Sequence, residues 1–167
     1  VAVCIPATTK NSGIRSLKES PLMRLAVPSV MRTAPEAKIY VVIDDDDQKL
    51  MGWASVLRKI GIRVVIAKGK KNRVPHNEVT MKAYNDGAEY IVRINDDTKF
   101  ITHGWIAKGI EALKKMNPPN VGVVAPLCKQ GNTNIFTHDM VHRTHVDIFG
   151  WYYPPKFDNW YLDDWIT

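Results

Sequence analysis

At 167 residues the chain falls within the size of one domain, and a hydrophobic content of 45% is enough to build a core. The formal charge of +6 comes from interspersed acids and bases. Its dense basic run, residues 68–73, has no interleaved aromatics and no zinc-finger or RNA-recognition signature, which argues against a nucleic-acid partner; no stretch approaches the roughly 20 apolar residues that span a bilayer, and no secretory leader opens the sequence.

In chain order, residues 1–6 form a β-rich apolar run stopped by Pro6, and the same signal returns at residues 38–43, 62–67, 90–94 and 121–125, so five buried strands are predicted. Helical periodicity fills the intervals: residues 22–33, with Pro28 as a candidate break, then 47–60, 76–86 and 103–116. In the second of these, Leu50, Trp53, Leu57 and Ile60 share a face and Gly61 ends the helix. In the fourth, Ile106, Gly109, Ile110 and Leu113 repeat the spacing. Strands that are continuous apolar runs, alternating with helices of this length, predict an α/β fold with a mostly parallel central sheet and helices on both faces. Ligands bind such sheets at the carboxyl edge. Three polar clusters fall there: Ala7-Thr8-Thr9-Lys10, Asp44-Asp45-Asp46-Asp47 and Asn95-Asp96-Asp97. Beyond Pro126 the alternation lapses into a long stretch rich in Asn, His, Asp and aromatics, the kind of irregular segment that carries function. Cys4 and Cys128 read as unpaired thiols. Residues 1–167 are expected to be one domain excised from a longer chain. Flanking segments would then decide between the lumen of the secretory pathway and the cytoplasm.

The strand at 90–94 runs into adjacent carboxylates with no basic residue beside them. Asp96 and Asp97 either hold a hard cation, Mg2+ or Mn2+, which takes oxygen ligands from one or two carboxylates and substrate phosphates, or cap the following turn or helix. In the earlier acidic cluster, Asp44 or Asp45 is placed to accept hydrogen bonds from a base or ribose, and Asp47 to cap the next helix. Arg73 and Asn77 bracket a helix N-terminus, where free N–H groups and the dipole favour an anion such as diphosphate; an exposed basic loop is the other reading. In the far segment, rings that stack on the C–H faces of sugars alternate with amides and carboxylates that satisfy hydroxyls, although core packing is the default for most of those rings. Asn132, His138, Trp160 and Tyr161 are its acceptor- or sugar-binding candidates. His138, His142 and His145 lack the glutamate and cysteine companions of a zinc site.

Together these pieces resemble the GT-A glycosyltransferases, especially the inverting enzymes with a family-2-like core and a Rossmann-like nucleotide-diphospho-sugar transferase fold. Val3-Cys4-Ile5-Pro6-Ala7 is similar to the family's first strand and its turn over the nucleotide. Val41-Val42-Ile43-Asp44-Asp45-Asp46 resembles the second strand, whose terminal acids contact the base. Asn72-Arg73-Val74-Pro75-His76-Asn77, followed by Tyr84-Asn85-Asp86-Gly87-Ala88-Glu89-Tyr90, looks like the Arg/Asn helix leading into the metal strand. Asn95-Asp96-Asp97 falls where the family carries Asp-x-Asp, with Asn95 as a departure at the first position. The resemblance implies a donor site formed by Pro6, Ala7, Thr8, Asp44, Asp45, Arg73, Asn77, Asn95 and Asp96. It also implies a Mn2+ or Mg2+ ion on Asp97, with Asp96 beside it on the ribose or through water.

Phe157-Asp158-Asn159-Trp160-Tyr161-Leu162-Asp163-Asp164-Trp165 resembles the acceptor-side acidic motif, implying Asp164, or else Asp163, as the general base. The family often adds a histidine metal ligand downstream of that motif, for which this sequence offers no counterpart. The expected activity is metal-dependent, inverting transfer of a hexose from a nucleotide-sugar, UDP-sugar by family frequency, to a hydroxyl of a carbohydrate or glycoconjugate. Two alternatives remain open: a nucleotidyltransferase, whose glycine-rich loop would here have Gly13 alone, and a non-catalytic carbohydrate- or protein-binding module of the same fold.

Overall fold

The computed structural model describes residues 1–70, 73–130, 134–157 and 159–167. Its strands are β1 (Ala2–Pro6), β2 (Lys38–Asp44), β3 (Arg63–Ala67), β4 (Tyr90–Arg93), β5 (Val123–Val124) and β6 (Asp139–His142). Among the described residues they form one six-stranded sheet in the order β3-β2-β1-β4-β6-β5. Strand β1 runs parallel to β2 and β4, and β2 parallel to β3, whereas β6 is antiparallel to both β4 and β5. The mostly parallel sheet is therefore as the apolar runs predict, with two differences. Strand β6 lies in the segment expected to be irregular; its four residues begin and end with polar side chains, too short for a period-2 signal. The fifth run shrinks to Val123–Val124, because Gly122 at φ 143° interrupts the extended backbone before it.

A π-helical turn (Leu22–Ala26) passes directly into helix α1 (Val27–Thr33). Pro28 does not break this helix. It stands in the first turn of α1, where a missing N–H costs nothing, and the winding changes there instead. The remaining helices are α2 (Gln48–Lys59), α3 (His76–Asn85), α4 (Trp105–Lys114), α5 (Thr144–Phe149) and α6 (Leu162–Ile166). Helix α2 ends as expected, with Gly61 in the left-handed region at φ 89°. No helix among the described residues is long and apolar enough to cross a membrane.

Strands β1, β2 and β4 read as unbroken apolar runs because both faces of the sheet are buried there, whereas β3 and β5, at the two edges, are not buried as expected: Ile66 of β3 is 41% exposed and β5 is half-buried. Val3 and Ile5 of β1, with Val41, Ile43, Val92 and Ile94, pack against α1, α2 and α4 through Val30, Leu57 and Leu113. The intervening Ala2 and Cys4, with Tyr40, Val42, Ile91 and Val141, pack against α3, α5 and α6 through Val79, Val146 and Leu162. Cys4 and Cys128 are both unpaired.

Pro6 shapes the edge where function is expected. Strand β1 continues along β2 to the Pro6–Val42 pair, but its pairing with β4 ends at Cys4–Arg93. Pro6 has no N–H to extend that ladder. The chain leaves β1 towards β2 on one side and returns to β4 on the other. The carboxyl ends of β1 and β4 therefore flank the point where strand order reverses, which opens a crevice in sheets of this kind.

Candidate active site

Two turns face each other across that crevice. In the turn after β1, the Asp47 carboxylate accepts from the Thr9 N–H at 2.6 Å and the Thr9 hydroxyl at 2.5 Å, and from the Thr8 hydroxyl at 3.3 Å. It also caps α2 by accepting from the Leu50 N–H at 3.2 Å, the role the sequence suggests. Burial pushes the Asp47 carboxyl up, but these bonds outweigh it and hold the group below the usual carboxylate range. The neighbouring acids are held as well. Lys10 Nζ lies 2.8 Å from Asp44 Oδ2 and 2.5 Å from Asp46 Oδ1, and the Gly69 N–H donates to Asp45 Oδ1 at 2.8 Å. A β-carbon at Gly69 would meet the Asp46 carboxylate, an exposed side chain that could swing aside only by leaving Lys10. Asp44 Oδ1 is buried without a hydrogen-bond partner.

Across the crevice, Asn95 and Asp97 are exposed and Asp96 is half-buried. The Thr8 N–H reaches Asp96 Oδ2 at 3.4 Å, which brings the two turns together. The segment beyond is pinned to α1: Phe100 N–H donates to Ser29 Oγ at 3.0 Å, Arg32 donates to the Phe100 carbonyl at 3.0 Å, and Phe100 stacks on Trp105 at 4.0 Å. Neither aspartate caps α4, whose N-cap is Gly104. Burial, opposed by the Thr8 N–H and reinforced by the charge of Asp97, lifts the Asp96 carboxyl to about 6. Among the described residues neither Asp96 nor Asp97 meets a basic side chain, and no three His, Cys, Asp or Glu side chains gather into a metal cage. An uncompensated carboxylate pair, open on one side, fits a hard cation that takes its other ligands from phosphate and water. His138 joins this rim through Thr98, with Oγ1 and Nε2 3.0 Å apart.

Sequence reasoning missed Arg93, which is 2% exposed in the middle of the sheet. Its Nε donates to the Tyr153 hydroxyl at 2.6 Å and to Asp139 Oδ2 at 3.0 Å. Its remaining N–H groups reach the Thr137 carbonyl at 2.7 Å and Asp163 Oδ1 at 2.6 Å. Asp139 also accepts from the hydroxyls of Tyr153, at 2.6 Å, and of Tyr152. Burial disfavours the Arg93 charge, but Asp139, Tyr153 and Asp163 more than restore it. A lone arginine inside an apolar strand was the available signal, since such a group is buried only when paired. Its partner Asp139 stands in the strand that the sequence does not reveal. The network docks α6 and engages the Asp163 carboxylate; Asp164, the next residue, is exposed.

Arg73 stands just before α3 and Asn77, the other donor candidate of this segment, in its first turn. The Asn77 amide clamps the Tyr153 backbone, donating to its carbonyl at 2.7 Å and accepting from its N–H at 2.9 Å. Arg73 pairs with Glu78 and donates to the Lys68 carbonyl at 2.5 Å. Of the aromatic candidates, Trp160 and Tyr161 are 77% and 69% exposed, and Tyr161 sits at φ 68°, uncommon for a ring-bearing residue. Tyr152 and Tyr153 are core residues. His142 Nδ1 meets the Thr144 hydroxyl at 2.6 Å and His145 Nε2 meets the Tyr152 carbonyl at 2.8 Å, so both serve local structure. Asn132, Asn72 and Asp158 lie outside the described residues.

Burial holds the imidazoles of His76, His138 and His145 below their usual value, with Arg93 adding to the effect at the first two. The unfolded chain takes up these protons near pH 6.5 while the native state resists them. Their contribution to stability is thus complete above about pH 6.5 and is lost as pH falls further. Asp96 works the other way, because the native state takes up its proton first, and it offsets part of the loss between about pH 6 and pH 4. The urea midpoint is expected to be lower at pH 5.5 than at pH 7.5; a midpoint that rose on acidification would contradict this balance.

No protein-family model matches the chain, and no curated protein matches its sequence. Solved structures do match. The mannosyltransferase PcManGT from Pyrobaculum calidifontis, in complex with GDP-Man and Mn2+, aligns at a TM-score of 0.61 and 14% identity over 98% of this chain and 49% of its own. TarS 1–349 from S. aureus aligns at 0.60 and 14% identity over 92% of this chain and 50% of its own. The chain has the GT-A fold. The 4-diphosphocytidyl-2C-methyl-D-erythritol synthase from Anaerococcus prevotii aligns at 0.53 and 16% identity over 94% of this chain and 78% of its own. At these identities the likeness is one of fold. This GT-A chain spans about half the length of the first two structures.

Proposed function

We propose that this GT-A domain transfers a sugar from a nucleotide-sugar donor to a carbohydrate hydroxyl, with a divalent cation at Asp97 and Asp96. The observation that carries this reading is the uncompensated Asp96-Asp97 pair at the reversal of strand order, bridged to the β1 turn by the Thr8 N–H. Exposed Asp97 is the direct ligand and half-buried Asp96 its support. A Mn2+ or Mg2+ ion held there supplies electrostatic stabilisation of the departing diphosphate. Pro6, Ala7, Thr8 and Asn95 form the floor for the nucleotide. Asp44 and Asp45 face the base or ribose. A UDP-sugar is the first donor to try, since TarS has been solved with UDP and with UDP-GlcNAc.

On the acceptor side, the Asp163 carboxylate is engaged by Arg93 and so positions α6. Exposed Asp164 is the general base. It takes the proton of the acceptor hydroxyl as that oxygen attacks the anomeric carbon; the bond from that carbon to the diphosphate oxygen breaks, and the nucleoside diphosphate leaves. The exposed rings of Trp160 and Tyr161 offer stacking surfaces for sugar, and His138 stands at the same rim.

Thermal unfolding with UDP, GDP and CTP, with and without MnCl2, tests the reading. A diphosphate at a hundredfold its Kd adds about 2.7 kcal/mol, on the order of 5–10 °C for a chain of this size. This gain is expected only with manganese and should vanish with EDTA. A response confined to CTP would instead favour nucleotidyl transfer, the reading that the erythritol synthase alignment keeps in play. No response to any nucleotide would leave a binding module.

A further inference from the structure

The Asp47 carboxylate is 3% exposed and, among the described residues, takes four donors, two on each oxygen. Capping α2 uses one of them, the Leu50 N–H on Oδ1. The other three come from a turn 38 and 39 residues earlier in the chain: the Thr9 hydroxyl on Oδ1, and the Thr9 N–H and Thr8 hydroxyl on Oδ2. Serine caps a helix about as well as aspartate does, but its single oxygen could not make these further bonds. The bonds to the turn are therefore surplus to the cap.

That turn is tied at other points as well. The Ala7 N–H donates to the Val42 carbonyl at 3.0 Å, and the Lys10 N–H donates to the Thr8 hydroxyl at 3.1 Å. Fixed in this way to β2 and α2, the turn sends its Thr8 N–H across the crevice to Asp96 Oδ2, 3.4 Å away. Asp47 thus acts on a carboxylate that it does not touch. Outer groups that hydrogen-bond a carboxylate ligand orient it for its metal, and losing them typically lowers metal affinity by about 10–100-fold.

We propose that Asp47 is a positioning residue, which orients Asp96 through the Thr8-Thr9 turn and so sets the affinity of this rim for a divalent cation. The inference rests on the reading that Asp96 and Asp97 hold the cation. Asp47 itself stays outside the site, since both of its oxygens are already engaged.

Manganese affinity is read by EPR of free Mn2+, titrated against the protein with and without UDP, beside urea unfolding of the same proteins. In Asp47→Ser the hydroxyl keeps the α2 cap while the ties to the turn are lost, and affinity is expected to fall by about tenfold or more. Thr9→Val keeps the cap and the Asp47 charge and removes one tie, so affinity should shift in the same direction, by less. It carries the test if Asp47→Ser does not fold. Leu57→Ala is the control: it weakens the core under the same helix without touching the turn, and its affinity should match the parent's. The inference is overturned if Asp47→Ser, or Thr9→Val where that alone folds, binds manganese like the parent. It is overturned equally if Leu57→Ala loses as much affinity as Asp47→Ser, because the loss would then follow stability and not the turn. A parent that takes up no manganese, with or without UDP, would remove the cation from Asp96 and Asp97 and the transferase reading with it, before any variant is compared.

Discussion

Replacing Asp97 by alanine is expected to abolish the manganese-dependent stabilisation by UDP and to cut sugar transfer by on the order of 10^2–10^4. The range follows from the several kcal/mol that a bound cation contributes to charge on the leaving group, at tenfold per 1.36 kcal/mol. The effect should be selective. Asp97 is exposed and makes no hydrogen bond or ion pair within the described fold, so the unfolding free energy of the metal-free protein in urea should stay within about 0.5 kcal/mol of the parent. Asp96→Asn keeps the shape of a half-buried side chain and removes its charge, so it is expected to weaken manganese binding less. An Asp97→Ala protein that still gained stability from UDP only in the presence of manganese would remove the cation from this rim, and with it the proposed chemistry.

Arg93→Met is expected to produce the largest loss of stability in the chain, about 3–5 kcal/mol, because it strands the charge of Asp139 in the core. Asp139 has no exposed surface, and its other partners are tyrosine hydroxyls that cannot supply a full charge. Against a usual stability of about 5–15 kcal/mol, such a loss leaves the fold marginal. Arg93→Lys should recover only part of it, since one ammonium cannot reach Asp139, Asp163, Tyr153 and the Thr137 carbonyl together. Asp163→Asn should cost less, nearer 1 kcal/mol, because Asp163 is 33% exposed and water screens its pair with Arg93. The double variant Arg93→Met with Asp139→Leu, which removes both charges, should be more stable than Arg93→Met alone. Urea unfolding of the four proteins measures all of this. An Arg93→Met protein within about 1 kcal/mol of the parent would mean that the network holds nothing.

How much of this was legible beforehand depended on how far each residue acts locally. The parallel strands could be read because burial on both faces leaves apolar runs in β1, β2 and β4. The Asp47 cap could be read because it concerns residues three apart. The Asp96-Asp97 pair stood out because a buried strand rarely ends in uncompensated acid. What could not be read depends on pairing between distant segments. Strand β6 is recognisable only once β4 lies beside it, and the Arg93–Asp139 pair joins residues 46 apart. A helix N-terminus suggests an anion near Arg73 and Asn77, and only the folded chain shows that the Asn77 amide is engaged by the Tyr153 backbone.

The unequal chemistry of the two cores has a practical consequence. The layer under α1, α2 and α4 is held by aliphatic and aromatic packing, so swaps of similar volume at Val30, Leu57 or Leu113 should cost little and leave reactivity untouched. The opposite layer interleaves its packing with the Arg93 network and the clamped Tyr153, so substitutions there should alter stability and, under the proposed transfer reaction, turnover together. A thermostabilised variant is therefore best evolved from the first layer, and a variant with changed substrate preference from the second.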